Sequence, residues 1–238
     1  MPADLALVMP VYNESGCVAR VVDSWRGSLG NLGISFRMIV LDDGSTDDTA
    51  AQLEQFRSDQ AIEIIHQTNI GHGPTILRGY GRAVNLAEWV FQCDSDDEIS
   101  PRFFPTFWQR RGQYDTVLGI RERDKRSAGR RIISGVARLT VRFFFAPGVR
   151  DVNVPYRLTR ASLLRDLVAQ IPPDTFAPNV IISGALARAG LPILQIPVHC
   201  EGRRTGSPSI AKLKLWKSAV ISFRQTLACR PTLQKGKQ

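Results

Sequence analysis

Trp89-Val90-Phe91-Gln92-Cys93-Asp94-Ser95-Asp96-Asp97 is a short, largely apolar run that ends on carboxylates. Strand-forming residues stopped by a polar cluster describe a buried strand, Trp89–Cys93, whose end opens to solvent. Two carboxylates one residue apart at such an end can turn toward one divalent ion. Their hard oxygens suit Mg2+ or Mn2+, with phosphates or water completing the shell. An isolated Asp-x-Asp says little, because many turns carry one. Three similar units precede this one and give it weight.

Working backward from it, Ile62–His66 reads as a third strand, followed by the Gly-rich turn Asn69–Gly73 and a helix to about Asn85. Phe36–Leu41 is a second strand, with a turn over Asp42–Ser45 and a helix over Thr46–Phe56. Leu5–Met9 is the first, leading through Tyr12-Asn13-Glu14 into a helix over Ser15–Leu29. Short strands alternating with helices predict a parallel α/β sheet with right-handed crossovers. Ligands of such sheets bind beyond the carboxyl ends of the strands. Four polar clusters on four consecutive strand ends therefore converge on one edge. Solvated turns would explain any one of them, and explain all four poorly.

Beyond residue 101 the pattern is less regular. Thr116–Ile120 and Val152–Leu158 read as strands, Arg160–Ala169 and Ala177–Ala189 as helices, and Pro192–His199 as a final strand. Arg121–Arg131 is a loop dense in Arg and Lys. Ile132–Ala146 reads as a helix with Arg138 and Arg142 beside Phe143-Phe144-Phe145, a mix suited to a membrane surface. Ile210–Cys229 has the same character, with Lys212, Lys214, Lys217 and Arg224, and Pro231–Gln238 is a polar end expected to fray. No internal repeat is present.

The charge follows the same division. Residues 1–101 hold 6 Lys/Arg and 15 Asp/Glu, and residues 102–238 hold 25 and 7, within a total of +9 over 238 residues. A pI near 9.9 would by itself suggest nucleic acid, but the acidic first half opposes that and no nucleic-acid-binding motif is present. The basic half suits phosphate, on a lipid or a small substrate. Cys17, Cys93, Cys200 and Cys229 form no CxxC pair, which fits reduced, mostly buried thiols. Uncharged stretches such as Ile64–Leu77 and Thr175–Ala187 fall short of the roughly 18–20 apolar residues that span a bilayer, and Asp4 interrupts any secretory leader. The expectation is a cytoplasmic protein that meets a membrane, if at all, on its cytoplasmic face.

Four segments together carry a resemblance: Val8-Met9-Pro10-Val11-Tyr12-Asn13-Glu14, Val40-Leu41-Asp42-Asp43-Gly44-Ser45-Thr46-Asp47, Asn69-Ile70-Gly71-His72-Gly73 and Cys93-Asp94-Ser95-Asp96. In order and spacing they resemble the family 2 glycosyltransferases, of GT-A fold. Further on, Gly119-Ile120-Arg121, Asp151–Leu158 with its Asp, aromatic and Arg, and Ile196-Pro197-Val198 leading to Arg203-x-x-Gly206 look like the dolichol-phosphate mannose synthase group of polyprenyl-phosphate glycosyltransferases. The resemblance implies a mostly parallel, Rossmann-like central sheet flanked by helices, with amphipathic surface helices in the second half. It divides the chain into a catalytic domain, 1–210, and an amphipathic helix and tail, 211–238. Within the domain, 1–101 would bind the nucleotide-sugar and 102–210 the acceptor.

By the same resemblance, Pro10, Tyr12, Glu14, Asp42, Asp43, Gly71, Gly73 and Asp94 bind the nucleotide of a UDP- or GDP-sugar. Asp94 and Asp96 hold Mg2+ or Mn2+, and Asp94, Asp96, Arg121, Arg157 and Arg203 serve catalysis. Gly71 and Gly73 would let the backbone approach the nucleotide closely. The sequence departs from the group where Lys often stands at His72, where Ser-Lys is replaced by Pro208-Ser209, and where a helix Glu is replaced by Ile181, with Asn179 near. Inverting transfer to a hydroxyl needs a general base, whereas a phosphate acceptor is already anionic. The missing acid, with Arg121, Arg157, Arg203 and Arg204, favours a lipid phosphate.

A soluble or other lipid hydroxyl acceptor is the alternative. A nucleotidyltransferase would want a Gly-rich, basic first loop that Pro10–Ser15 does not offer. A membrane-protein partner supplying an anchor is a further possibility. Asp97 and Glu98 are expected to cap a helix starting near Pro101, with Asp97 a second reading as base. His66 reads as a plain strand end, and Trp25, Trp89, Trp108 and Trp216 as core or interface anchors.

Overall fold

A computed structural model of the chain describes residues 2–122, 139, 148–200 and 212–229, and of residues 212–219 the backbone alone. The described elements run β1 (Ala3–Val11), α1 (Val18–Gly30), β2 (Phe36–Asp42), α2 (Thr49–Leu53), β3 (Ile62–His66), α3 (His72–Ala83), β4 (Ala87–Cys93), α4 (Phe104–Arg110), β5 (Thr116–Glu122), β6 (Tyr156–Arg160), α5 (Ala161–Val168), α6 (Pro178–Arg188), β7 (Ile193–His199) and α7 (Lys212–Ala228). The predicted helix at 132–146 lies outside the described residues except for Leu139. So do most of the 121–131 loop and all of 201–210, including Arg203.

Seven strands form one sheet in the order β3-β2-β1-β4-β6-β5-β7. β1 is parallel to both β2 and β4, and β5 is parallel to β7. β1 is buried from Leu5 through Val11, as a strand covered on both faces must be. Its side chains alternate between two cores: Leu5, Leu7, Met9 and Val11 enter one, Ala6 and Val8 the other. On the first side lie α1, through Val18, Val22, Trp25 and Leu29, and α4, through Phe104 and Phe107. There Trp25, Phe91, Phe104 and Tyr156 pack with ring centroids 4.7–5.9 Å apart, edge-on or tilted. On the second side lie α3, α5 and α6, through Ile76, Tyr80, Leu164, Leu167, Ile181 and Leu186. The described tryptophans Trp25, Trp89 and Trp108 are all buried.

β6 is the exception to parallel pairing. It runs antiparallel to β4, with Tyr156 opposite Cys93 and Arg157 opposite Gln92, and antiparallel to β5. The strand expected at 152–158 begins instead at Tyr156, after a turn at Val152-Asn153 and a bend at Pro155. The reversal puts the start of β6 on the same edge as the ends of β4 and β5. The first helix also starts later than the sequence suggests. The Glu14 carbonyl first accepts the N–H groups of Cys17 and Val18 in a turn.

α3 approaches β1 through Gly79, where an added Cβ would lie 2.4 Å from Val8 Cγ1 and 3.0 Å from Leu41 Cδ1, both enclosed. Gly81, in the same helix, has nothing within 4 Å of that position. Gly79→Ala should therefore destabilise the chain by about 1–3 kcal/mol through overpacking. Gly81→Ala should stabilise it by up to about 1 kcal/mol through helix propensity. Urea unfolding of the two variants checks the opposite signs.

Candidate active site

The loops after β1 and β2 are fastened to one another. Asn13, at φ 54°, donates its N–H to Ser45 Oγ at 2.9 Å and accepts the Thr46 N–H at 2.8 Å. The Glu14 N–H donates to Thr49 Oγ1 at 2.8 Å, and the Ser15 N–H to Asp47 at 3.2 Å. Tyr12 is left 37% exposed at the mouth, whereas Pro10 and Glu14 are buried. Beside the Glu14 carboxylate lies the Cys17 thiol at 3.6 Å, and that thiol also meets the Ser95 carbonyl at 3.4 Å. The start of α1 thereby touches the Asp-x-Asp segment.

Asp42 and Asp43 are both buried and both occupied by the protein. Asp42 accepts the Ser45 N–H at 3.0 Å and bonds His66 Nδ1 at 2.9 Å, while His66 Nε2 meets Glu54 at 3.0 Å. With a carboxylate beside each ring nitrogen, His66 can donate to both only as the imidazolium, so this pairing favours the charged ring. Asp42 is the larger cause of its raised pKa, against burial and with help from Glu54. Glu54 is held down at about 2 by Arg57 first and His66 second. His66 is thus more than a strand end: it fixes Asp42. Asp43 accepts from Gln67 Nε2 at 2.8 Å and from the N–H groups of Ile70 and Gly71, both at 2.9 Å. It sets the shape of the Gly-rich turn.

Gly71, at φ 96°, precedes α3 in a conformation that favours glycine. Gly73 is small for a reason the sequence did not suggest. An added Cβ would stand 2.3 Å from the carbonyl oxygens of Thr175 and Phe176. The close approach there is made by the chain's own backbone. That 174–176 segment is gripped in turn by Gln225 of α7, which accepts the Phe176 N–H at 2.8 Å and donates to the Asp174 carbonyl at 3.3 Å.

At the end of β4, Asp94 and Asp96 are half-buried around a buried Ser95. Asp94 accepts from Gln92 Nε2 at 3.2 Å and lies 3.8 Å from His72 Nε2. Asp96 accepts the Glu98 N–H at 3.2 Å. Desolvation lowers the pKa of His72 against the pull of Asp96 and Asp43. With 61% of its side chain exposed, solvent screening limits that shift. The ring thus stands between the Asp43 turn and the Asp-x-Asp pair, so all four strand ends meet at one edge.

Two oxygen-donor side chains fit a divalent ion that takes the rest of its shell from phosphate and water. Among the described residues, no group of three His, Cys, Asp or Glu could hold an ion unaided. Asp97 does not cap the next helix. It sits at φ 57° and pairs with Arg20 of α1. Ser100 caps the Pro101–Phe103 turn instead, accepting the Arg102 N–H.

From the second half, Arg121 makes a two-pronged pair with Asp151 at 2.7 and 2.8 Å. Burial works against its charge, but Asp151 more than offsets this and its pKa is raised. Arg157 is 3% exposed and reaches inward, to the Asn179 carbonyl at 3.3 Å and Ser183 Oγ at 2.8 Å. Burial lowers its pKa, and among the described residues its Nε meets no hydrogen-bond partner. The structure therefore places Arg157 beneath the edge rather than on it.

Sequence reasoning missed the groups that join these halves: Gln92, Tyr80 and Ser183. A fully buried amide in an apolar strand, two residues before Asp94 and on the same strand face, was the available signal.

Residues 6–169 match glycosyl transferase family 2. Undecaprenyl-phosphate 4-deoxy-4-formamido-L-arabinose transferase of Pseudomonas paraeruginosa is 29% identical over 193 residues, 79% of this chain and 56% of that protein. The transferase of the same description from Pectobacterium carotovorum is 25% identical over 216 residues, covering 89% and 64%. The chain thus spans little more than half the length of these curated relatives. Glucosyl-3-phosphoglycerate synthase from Mycobacterium tuberculosis, crystallised with Mn2+, UDP and phosphoglyceric acid, superposes with a TM-score of 0.72 at 17% identity, over 98% of this chain and 81% of that one. Mannosyl-3-phosphoglycerate synthase from Rubrobacter xylanophilus gives 0.71 at 15%, over 94% and 73%. These likenesses identify the fold as GT-A.

The His66 pair generates a pH dependence. Because its pKa is raised in the folded chain, the contribution is full below the unfolded value of about 6.5 and is lost as pH rises through the folded value. The stability difference between the native chain and His66→Gln should be larger at pH 6 than at pH 8.5, as read by urea unfolding at both.

Proposed function

The chain belongs to glycosyl transferase family 2, and from that membership we propose that it moves a sugar, with inversion, from a nucleotide-diphosphate sugar to a polyprenyl-phosphate-type lipid acceptor. One observation carries this reading: the loops after β1, β2 and β3 are hydrogen-bonded into a single rim, and Asp94 of the Asp-x-Asp pair lies 3.8 Å from His72 beside the Asp43 turn. The names of the undecaprenyl-phosphate relatives support the acceptor class. In this proposal the catalytic domain spans 1–210, and an amphipathic helix and tail span 211–238.

In this reading Tyr12 lies against the base, while Asp42 and Asp43 hold the loops that surround it. Asp94 and Asp96 bind a divalent ion. That ion, when bound, neutralises charge on the leaving diphosphate. Arg121 faces the acceptor phosphate from the end of β5, fixed in direction by Asp151, and Arg203 joins it from outside the described residues. Arg157 acts from below, through α6. A phosphate nucleophile needs no base. Ile181 is enclosed in the apolar core, and Asp97, the carboxylate a hydroxyl acceptor would call on, is paired with Arg20.

The described part of α7 supports a place on a membrane surface. Val220, Ile221 and Phe223 are exposed there, and no described helix is long and apolar enough to cross a bilayer. We place the chain on the cytoplasmic face, with or without a membrane-protein partner.

UDP and GDP, each with and without Mn2+ or Mg2+, are to be compared by thermal unfolding; UDP comes first because the fold relative holds it. Ligand at about 100 times its Kd should add about 2.7 kcal/mol, a rise of several degrees, and the larger part should require metal. Asp96→Ala should remove the metal-dependent part and turnover while leaving the unliganded Tm within a few degrees. Turnover on a soluble hydroxyl acceptor but none on polyprenyl phosphate would overturn the acceptor assignment.

A further inference from the structure

Beneath the Asp-x-Asp pair lies a layer of buried polar side chains of which the proposed chemistry uses only Arg157. Gln92 is fully buried in β4. Its Nε2 donates to Asp94 Oδ1 at 3.2 Å. Its Oε1 accepts from Asn179 Nδ2 at 2.9 Å and faces the Tyr80 hydroxyl at 3.3 Å. That hydroxyl donates to Asn179 Oδ1 at 3.0 Å. Beyond Asn179, its carbonyl accepts from Arg157, which also donates to Ser183 Oγ, and Ser183 donates to the Val152 carbonyl at 2.8 Å.

The polarity of this chain is not arbitrary. An ionised carboxylate only accepts, so Gln92 must turn its NH2 toward Asp94 and its oxygen away. That oxygen then needs a donor, and Asn179 supplies one only if its own oxygen points to Tyr80. Tyr80 must keep its proton to satisfy it, and burial holds the phenol in that state, pushing its pKa up to about 12. Each amide has one orientation in which all the bonds are made, and in that orientation Gln92 presents a donor to Asp94.

We infer that Gln92 is a positioning residue for Asp94, with its amide direction locked by Asn179 and Tyr80, so that α6 of the acceptor half fixes how the donor half presents its carboxylate to a divalent ion. The inference rests on the reading of Asp94 as a metal ligand. Outer partners that orient a ligating carboxylate commonly contribute 10- to 100-fold to metal affinity.

The test measures Mn2+ binding to the full chain saturated with UDP, by the Mn2+ EPR signal, beside UDP binding without metal. Asp94→Ala is the control for the site itself. Gln92→Leu should weaken Mn2+ binding roughly 10- to 100-fold and leave metal-free UDP binding within about twofold, a split that general loss of structure would not produce. Asn179→Asp touches neither nucleotide nor metal. It replaces the donor facing Gln92 by an acceptor, so it should turn the Gln92 amide over and weaken Mn2+ binding in the same selective way. It also serves if Gln92→Leu does not fold. Wild-type Mn2+ affinity in either folded variant, with Asp94→Ala impaired, overturns the positioning role alone. Wild-type affinity in Asp94→Ala overturns the site reading beneath it.

Discussion

Everything in this molecule hangs on β1 being paired in parallel on both sides. β2 lies on one flank and β4 on the other, and the chain visits them in opposite directions of sheet growth. Where strand order reverses, neighbouring connections leave to opposite faces and a crevice opens between them at the strand ends. Tyr12–Glu14 form one lip of that crevice and Asp94–Asp96 the other. The burial of every residue from Leu5 to Val11 makes this pairing the rigid reference against which the loops are set.

The acidic first half takes on a more specific meaning in the structure. Much of its negative charge is spent on architecture. Asp42 holds a turn and His66, Asp43 Gln67 and two N–H groups of the Gly-rich loop, Asp47 the start of α2, and Asp97 the side of α1. Each accepts backbone N–H groups or pairs with a cation, the usual way a carboxylate is kept out of bulk water. The site is therefore a small part of the acidic charge, framed by the rest. In the second half, likewise, Arg121 and Arg157 are committed to Asp151 and α6, so basic composition there is not the same as free basic surface.

The four strands of the first half, and the convergence of their ends, were legible because each strand end carries its own polar motif at short range. β3 was placed to the residue, and β1, β2 and β4 to within two residues at either end. What was not legible depends on long-range or directional facts. The antiparallel sense of β6 leaves no trace in hydrophobic periodicity, which is the same for either strand direction. The Arg20–Asp97 pair joins residues 77 apart, so Asp97 looked like a local cap. Gly73 looked like a ligand-facing glycine because nothing in its neighbourhood announces residues 175 and 176. Arg157 fitted a motif, yet its burial follows from its place in a central strand. The rim was readable from motifs, while the layer beneath it needed the fold.

The contact at Gly73 has a mechanical side. The carbonyls of Thr175 and Phe176 approach the first turn of α3 so closely that no Cβ fits at Gly73, and the segment they belong to is held by two hydrogen bonds with the single side chain of Gln225. The tail helix is in this sense a lever, with Gln225 as its grip and the Gly-rich turn as its load. Since a hydrogen bond tolerates only a few tenths of an ångström before weakening, a displacement of α7 at Gln225 must either break that grip or be delivered to the turn that Asp43 shapes.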